Sequence, residues 1–406
     1  MIPNLSDLQK QVKALGLDVQ RSGKREAKED YLKVLRVYHL NQDHPNGLPY
    51  DEILPMLCFD YNTLHPKEQK TLWTNHDWIT QKKLNGCRMI LHFVEKSGVF
   101  AHSRAISAST FRRTQYQDRL LFRDFVPSFS ATIDAEVLCD RFIDTRPFTK
   151  KGEVTKSTLQ STTALLQLEP EASRRLQQEQ NAPLVFHTFD ILNWLGNDLK
   201  EKRLCERAVN LEEFKAEIKK TDAGKYFEFV PNCIRDKKAF YEQVLKAGGE
   251  GIIFKNLNSK YEASTSRNRY GWVKLKRQLE LDGYCSGFEQ GRPSSELSNH
   301  VATLLFSVVT EKGPRLIAKV SNIPWELRKN ISIYDRLNGK VSMSVEVYGR
   351  CARIIGTEFS QRAFRLVNPR ISHWRTDLKQ EQCVYALEDL LKVRMGDSVI
   401  PMRVIK

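Results

Sequence analysis

Apolar positions change their spacing along the chain. Up to about residue 76 they fall three and four apart, as in Leu5, Leu8, Val12 and Leu15 and again in Tyr31, Val34, Leu35 and Tyr38, the signature of amphipathic helices. The run His44-Pro45-Asn46-Gly47-Leu48-Pro49 interrupts them. From about 77 to 277 short apolar runs alternate with helical spacing. Residues 88–94 and 99–103 predict a hairpin around Glu95-Lys96-Ser97-Gly98. Further strands are expected at 131–138, 184–192 and 251–255. Helical spacing over 236–247 stops at Gly248-Gly249. Beyond 278 the pattern predicts strands at 302–309, 315–320 and 341–348, parted by Lys312-Gly313-Pro314 and Leu337-Asn338-Gly339. Short strands with turn residues between them suggest a small barrel.

This gives an α+β chain of three parts: a small, mainly helical domain over 1–76, a mixed domain over 77–277 and a β-rich domain over 278–406. A length of 406 residues is ample for two or three domains. There is no apolar run near 18 residues, so no membrane partner is expected. The start, Met1-Ile2-Pro3-Asn4-Leu5-Ser6-Asp7, lacks the regions of a signal peptide, which points to the cytoplasm. No two of the eight cysteines lie closer than 28 positions, so neither a zinc site nor a disulfide framework is expected. Net charge is 64 − 49 = +15, which favours a polyanionic partner.

Four strings carry the chemistry. They are Lys83-Leu84-Asn85-Gly86-Cys87-Arg88, Asp134-Ala135-Glu136, Glu250-Gly251-Ile252-Ile253-Phe254-Lys255 and Trp272-Val273-Lys274-Leu275-Lys276. A lysine beside a glycine turn can attack the α-phosphorus of a nucleoside triphosphate, provided it is the neutral amine. Glu136 and Glu250 have apolar neighbours, and a carboxylate in such a setting is either ion-paired or metal-bound. Lys274 and Lys276 alternate on a strand and share one face, which suits a triphosphate. Phe189 could stack on a purine. Together the strings read as a nucleotidyltransferase.

At these residues the chain resembles the ATP-dependent DNA ligases, within the covalent nucleotidyltransferases. The family's KxDGxR motif is similar to Lys83–Arg88, with Asn85 in place of aspartate. Ser103-Arg104, Asp134-Ala135-Glu136, Phe189-Asp190-Ile191-Leu192, Leu204-Cys205-Glu206-Arg207, Glu250–Lys255 and Trp272–Lys276 follow in family order, the last preceded by Tyr261 and Arg267. A final R-x-DK motif resembles Arg375-Thr376-Asp377-Leu378-Lys379, with one residue inserted.

The resemblance implies a nucleotidyltransferase domain of two antiparallel sheets with flanking helices, followed by an OB-fold barrel. It also implies ATP and Mg²⁺ as cofactors, nicked duplex DNA as partner and a monomer. Lys83 becomes lysyl-AMP. Gln81, Arg88, Arg104, Glu136, Phe189, Lys255, Lys274, Lys276, Arg375, Asp377 and Lys379 contact the nucleotide, and Glu136 and Glu250 hold the metal. The N-terminal helices are expected either to touch duplex phosphates through Lys24, Arg25 and Lys28 or to pack as a cap on the catalytic domain. Asn85 also occurs at this place in some RNA ligases, so RNA sealing is the alternative.

Overall fold

The computed structural model describes residues 5–17, 19, 30–31, 34–35, 53–106, 113–155, 157–262, 267–277, 279–291, 297, 300–325, 328, 347–356, 358–359, 365–388 and 390. Chain contacts divide the protein into two compact units, Met1–Lys238 with Ile252–Leu275, and Ala239–Gly251 with Lys276–Lys406.

Helix α1 (Leu5–Ala14) buries Leu8 and Val12 in a small cluster of their own with Tyr31 and Leu35. Lys24, Arg25 and Lys28, and the break at 44–49, lie outside the described residues. Residues 53–76 are not all helical. Strand β1 (Leu57–Asp60) precedes helix α2 (Pro66–Thr74), and four residues are too few to display a period. There follow β2 (Trp78–Lys82), β3 (Cys87–Val94), β4 (Gly98–Ile106), β5 (Arg113–Gln115) and β6 (Ala131–Leu138). The expected hairpin is β3–β4, turning through Lys96 at φ 58°.

Helices α3 (Thr158–Gln167) and α4 (Pro170–Glu179) lead to β7 (Val185–Trp194), β8 (Asn197–Asp198), α5 (Leu204–Ile218) and β9 (Phe227–Phe229). Helix α6 (Lys237–Lys246) ends where Gly248, at φ 75°, donates its own amide to the Leu245 carbonyl while the Gly249 amide donates to that of Val244. Strands β10 (Gly251–Asn256) and β11 (Arg267–Lys276) follow.

Two sheets are built from these strands, in the orders β1-β11-β10-β2 and β5-β4-β3-β6-β7-β8 with β9 beside β7. The expectation of two antiparallel sheets needs correction. β1 runs parallel to β11, and β9 parallel to β7. The second case has a local cause: α5 lies between the strands, and a crossover helix returns the chain in the same direction. The main core lies on one face of β3, β6 and β7, where Met89, Leu91, Phe93, Ile133, Ala135, Val137 and Phe186 pack with Phe214 and Phe227.

The second unit continues with β12 (Leu279–Gln290), β13 (Val301–Thr310), β14 (Gly313–Val320), β15 (Cys351–Gly356), β16 (Glu358–Phe359), β17 (Leu366–Val367) and β18 (Arg370–Trp374). Five of these form one antiparallel sheet, β14-β13-β12-β15-β18, around a core that includes Leu281, Leu304, Phe306, Ile317 and Ile354. Of the strand expected at 341–348, residues 341–346 lie outside the described residues and 347–348 sit in a turn.

Candidate active site

Period-two pleating sets the face on which each charged side chain appears. With Met89, Leu91, Ile133 and Ala135 turned to the main core, Arg88, Ile90, Asp134 and Glu136 face the other way. Register pairs Arg88 with Glu136 and Ile90 with Asp134. Ile90 enters a second cluster with Met56, Leu192, Tyr261 and Trp272, against which Phe189, Cys58 and Ile253 pack. On the smaller sheet, register pairs Gln81 with Ile253 and Ile79 with Lys255. Opposed residues share a face, so Gln81 and Lys255 point the same way as Ile253.

Gly86 closes the turn after Lys83 onto β6. Its amide donates to Glu136 Oε1 at 3.0 Å, and a Cβ built on it would lie 2.3 Å from the Val137 carbonyl oxygen. Only glycine permits that approach. Burial raises the Glu136 carboxyl above its ordinary range, while Lys83, the Gly86 amide and Arg88 pull it down. Lys83 is half-buried, with Nζ 3.4 Å from the Leu84 carbonyl. Glu136 thus keeps one oxygen for a ligand beside Lys83.

Arg88 donates through Nε and Nη2 to both oxygens of Asp134, at 2.8 and 2.5 Å. Burial opposes its charge, but Asp134 outweighs burial and keeps the guanidinium protonated. Lys255 is 1 % exposed, donates to the Phe189 carbonyl at 3.0 Å, and lies 4.4 and 4.1 Å from the Phe189 and Trp272 ring centroids. Burial lowers its amine to about 8, against the opposing pull of Asp190 and Asp134. Lys255 therefore sits in the wall behind Phe189, where it supports that ring.

Cys58 ties the set together. Burial raises its thiol, and Arg88, Lys255, Lys83 and Lys274 all act on it to lower it. Four cations expected at the site thus act electrostatically on this one side chain. Gln81 is buried, and its Nε2 donates to Asn232 Oδ1 at 2.7 Å. Phe189 and Lys274 are half-buried, whereas Arg104 is exposed on β4. Sequence reasoning did not assign Cys58, Asp134, Asn232 or Trp272. The one available signal was the two-residue spacing of Asp134 from Glu136, which puts both carboxylates on one face.

Other expected residues belong to the second unit. Glu250 and Lys276 pair at 2.6 Å, and the Glu250 carbonyl accepts from the Arg277 amide. Arg375 donates through Nε and Nη2 to Asp377, at 2.8 and 2.6 Å, and through Nη1 to buried Asp282 at 2.8 Å. Arg353 holds Asp282 from its other side. The Arg375 guanidinium keeps the Asp377 carboxyl down at about 2. Lys379 is exposed.

Among the described residues no cluster of three or more metal-ligating side chains occurs. Mg²⁺ commonly takes one or two carboxylates and completes its shell with phosphate and water. One open Glu136 oxygen fits that pattern.

Residues 55–276 match the family model of the ATP dependent DNA ligase domain. A probable DNA ligase of Dictyoglomus turgidum is 30% identical over 152 residues, which are 36% of this chain and 25% of that protein. A DNA ligase of Pyrobaculum arsenaticum is 26% identical over 270 residues, 63% of this chain and 42% of the relative. The chain thus spans less than half the length of either relative. The solved structure "DNA binding with a minimal scaffold: Structure-function analysis of Lig E DNA ligases" is alike in fold, with a TM-score of 0.50 at 13% identity over 79% of this chain and 98% of that one.

Proposed function

The chain belongs to the ATP-dependent DNA ligase family, and from that membership we propose that it seals 5′-phosphate/3′-hydroxyl nicks in duplex DNA. The observation that carries the reading is the turn at Gly86, whose amide bonds Glu136 and whose Lys83, with Arg88, acts on that carboxylate. Lys83 Nζ attacks the α-phosphorus of ATP. A P–N bond forms, the bond to the pyrophosphate oxygen breaks, and Nζ gives up a proton. The AMP passes to a 5′-phosphate, and the 3′-hydroxyl then attacks that phosphate and expels AMP.

Phe189 flanks the base, and Gln81, Arg88 and Arg104 orient the nucleoside. Lys274 and Lys276 face the phosphates, and Lys255 acts from behind Phe189. Mg²⁺, when bound, supplies neutralisation of the triphosphate, with Glu136 and Glu250 as the protein carboxylates to hold it. Residues 278–406 are read as the OB-fold domain, with support from the five-stranded antiparallel sheet. Its Arg375, Asp377 and Lys379 orient pyrophosphate. Residues 1–76 contribute a DNA contact, and the working form is a cytoplasmic monomer.

Two experiments test this. Incubation with radiolabelled ATP should label the protein on one lysine, and Lys83→Ala should remove the label completely; a fully labelled variant would displace Lys83 as nucleophile. Sealing is then compared on matched duplexes, one with an all-DNA nick and one with RNA on both sides. Faster DNA sealing is expected. Faster RNA sealing would move the enzyme to the RNA ligases and make exposed Asn85 the first residue to change.

A further inference from the structure

Beneath Phe189 lies a polar cluster that does more than neutralise charge. The Tyr261 hydroxyl, 3 % exposed, donates to Asp134 Oδ2 at 2.6 Å and accepts from the Met56 amide at 3.0 Å and from Arg88 Nη2 at 3.3 Å. A hydroxyl has one donor and two acceptor sites, and all are used. Arg88 Nη1 donates to the Met56 carbonyl at 2.6 Å. The same residue, just ahead of β1, is therefore gripped at its amide by Tyr261 and at its carbonyl by Arg88. Of the five guanidinium N–H groups, these contacts and the two to Asp134 occupy four. One, on Nη1, is left. The Arg88 guanidinium carbon lies 5.5 Å from the Phe189 ring centroid and 5.4 Å from that of Trp272.

The Tyr261 ring is fixed without help from Arg88. Trp272 meets it edge-on at 5.7 Å, and the Arg207 guanidinium lies 5.7 Å from its centroid. A carboxylate alone would hold Arg88 by one edge and leave rotation about the Arg88–Asp134 axis open. A hydroxyl set by independent packing, together with a backbone carbonyl, removes that freedom.

We propose that Tyr261 is a positioning residue for AMP transfer: its hydroxyl fixes the Arg88 guanidinium so that the last N–H meets the nucleotide beside Phe189. The proposal rests on the reading of Lys83 as AMP acceptor and Arg88 as nucleotide contact. Tyr261→Phe keeps the ring and deletes the hydroxyl. Lysyl-AMP formation is measured against ATP concentration in the unaltered protein, Tyr261→Phe, Arg88→Lys and the double variant, with melting temperatures alongside.

The hydroxyl deletion should raise KM for ATP about tenfold with kcat within about threefold, and should change KM less than about twofold once Arg88 is lysine. Asp134→Asn, which loosens the same clamp from its other side, should reproduce the KM rise. An equal effect in both Arg88 backgrounds, or a lower melting temperature with unchanged KM, would reduce Tyr261 to a packing residue and overturn the proposal. Absence of lysyl-AMP in the unaltered protein would overturn the functional reading and this proposal with it.

Discussion

Gly86 owes its identity to one contact. Any Cβ there would stand 2.3 Å from a backbone carbonyl oxygen of β6 and 2.8 Å from Leu138 Cγ, and a strand interior cannot yield as a flexible side chain does. Gly86→Ala should push the turn off β6, break the amide bond to Glu136, cost about 1–3 kcal/mol of stability and cut lysyl-AMP formation by about a hundredfold or more. Near-normal labelling of the variant would show that the Gly86–Glu136 bond is dispensable. Lys255 makes a second claim at this scale. Its amine is near 8 in the fold against 10.5 for the free side chain, burial being the main cause. Between those values the unfolded chain binds more protons, so this group's contribution rises with pH and is lost as pH falls through about 8. Lys255→Met lacks the titration. The stability of the unaltered protein relative to Lys255→Met should therefore climb by about 1–3 kcal/mol between pH 8 and 10 in urea unfolding. A flat difference would mean a solvated amine. Lys83, Gly86 and Glu136 were readable as candidates because the chemistry asks for those residue types and the resemblance to the ligase motifs places them in that order. Cys58 and Asn232 were not, since no local spacing ties a residue to a partner about 150 positions away, as Gln81 is tied to Asn232.

Elements show the same division between local and remote information. The β3–β4 hairpin, β6 and the Gly248 stop of α6 follow from neighbouring residues, so the pattern of the chain located each within three residues. β1 and β9 did not announce themselves. Each is four residues or fewer, and each is a strand only because a distant one accepts it in parallel. The crossover from β7 through α5 to β9 carries one buried ion pair. Arg207 of α5 meets Asp190 of β7 through Nε and Nη2, both at 2.8 Å, with side chains 0 % and 1 % exposed. Its Nη1 also caps the carbonyls of Lys202 and Ser259. Removing one partner strands the other charge out of water, so Arg207→Ala should cost about 3–5 kcal/mol. Arg207→Met with Asp190→Asn should lose distinctly less, because neither charge is then left alone. Denaturant midpoints with m-values check both, and equal losses would show that the helix is held by its apolar face.

At the scale of the whole molecule, chain contacts group residues 239–251 with the C-terminal unit, while 252–275 return to the first. The N-terminal edge matters for experiment. A deletion ending at residue 70 would remove β1, with its pairing to β11, along with the first half of α2. A deletion ending at residue 52 spares both, and it removes the cluster of Leu8, Val12, Tyr31 and Leu35 as a block. The shorter protein should therefore keep lysyl-AMP formation within about threefold. Its affinity for a nicked duplex is the informative quantity, because the net charge is +15 and binding to duplex phosphates has a salt dependence that counts them. Every phosphate the shorter protein no longer neutralises lowers the slope of log affinity against log salt by about 0.9. If Lys24, Arg25 and Lys28 touch the duplex, the slope should fall by about 1–3 on deletion of 1–52. An unchanged slope with reduced stability would assign the N-terminal helices to packing, and the excess positive charge that meets DNA would then have to lie in the rest of the chain.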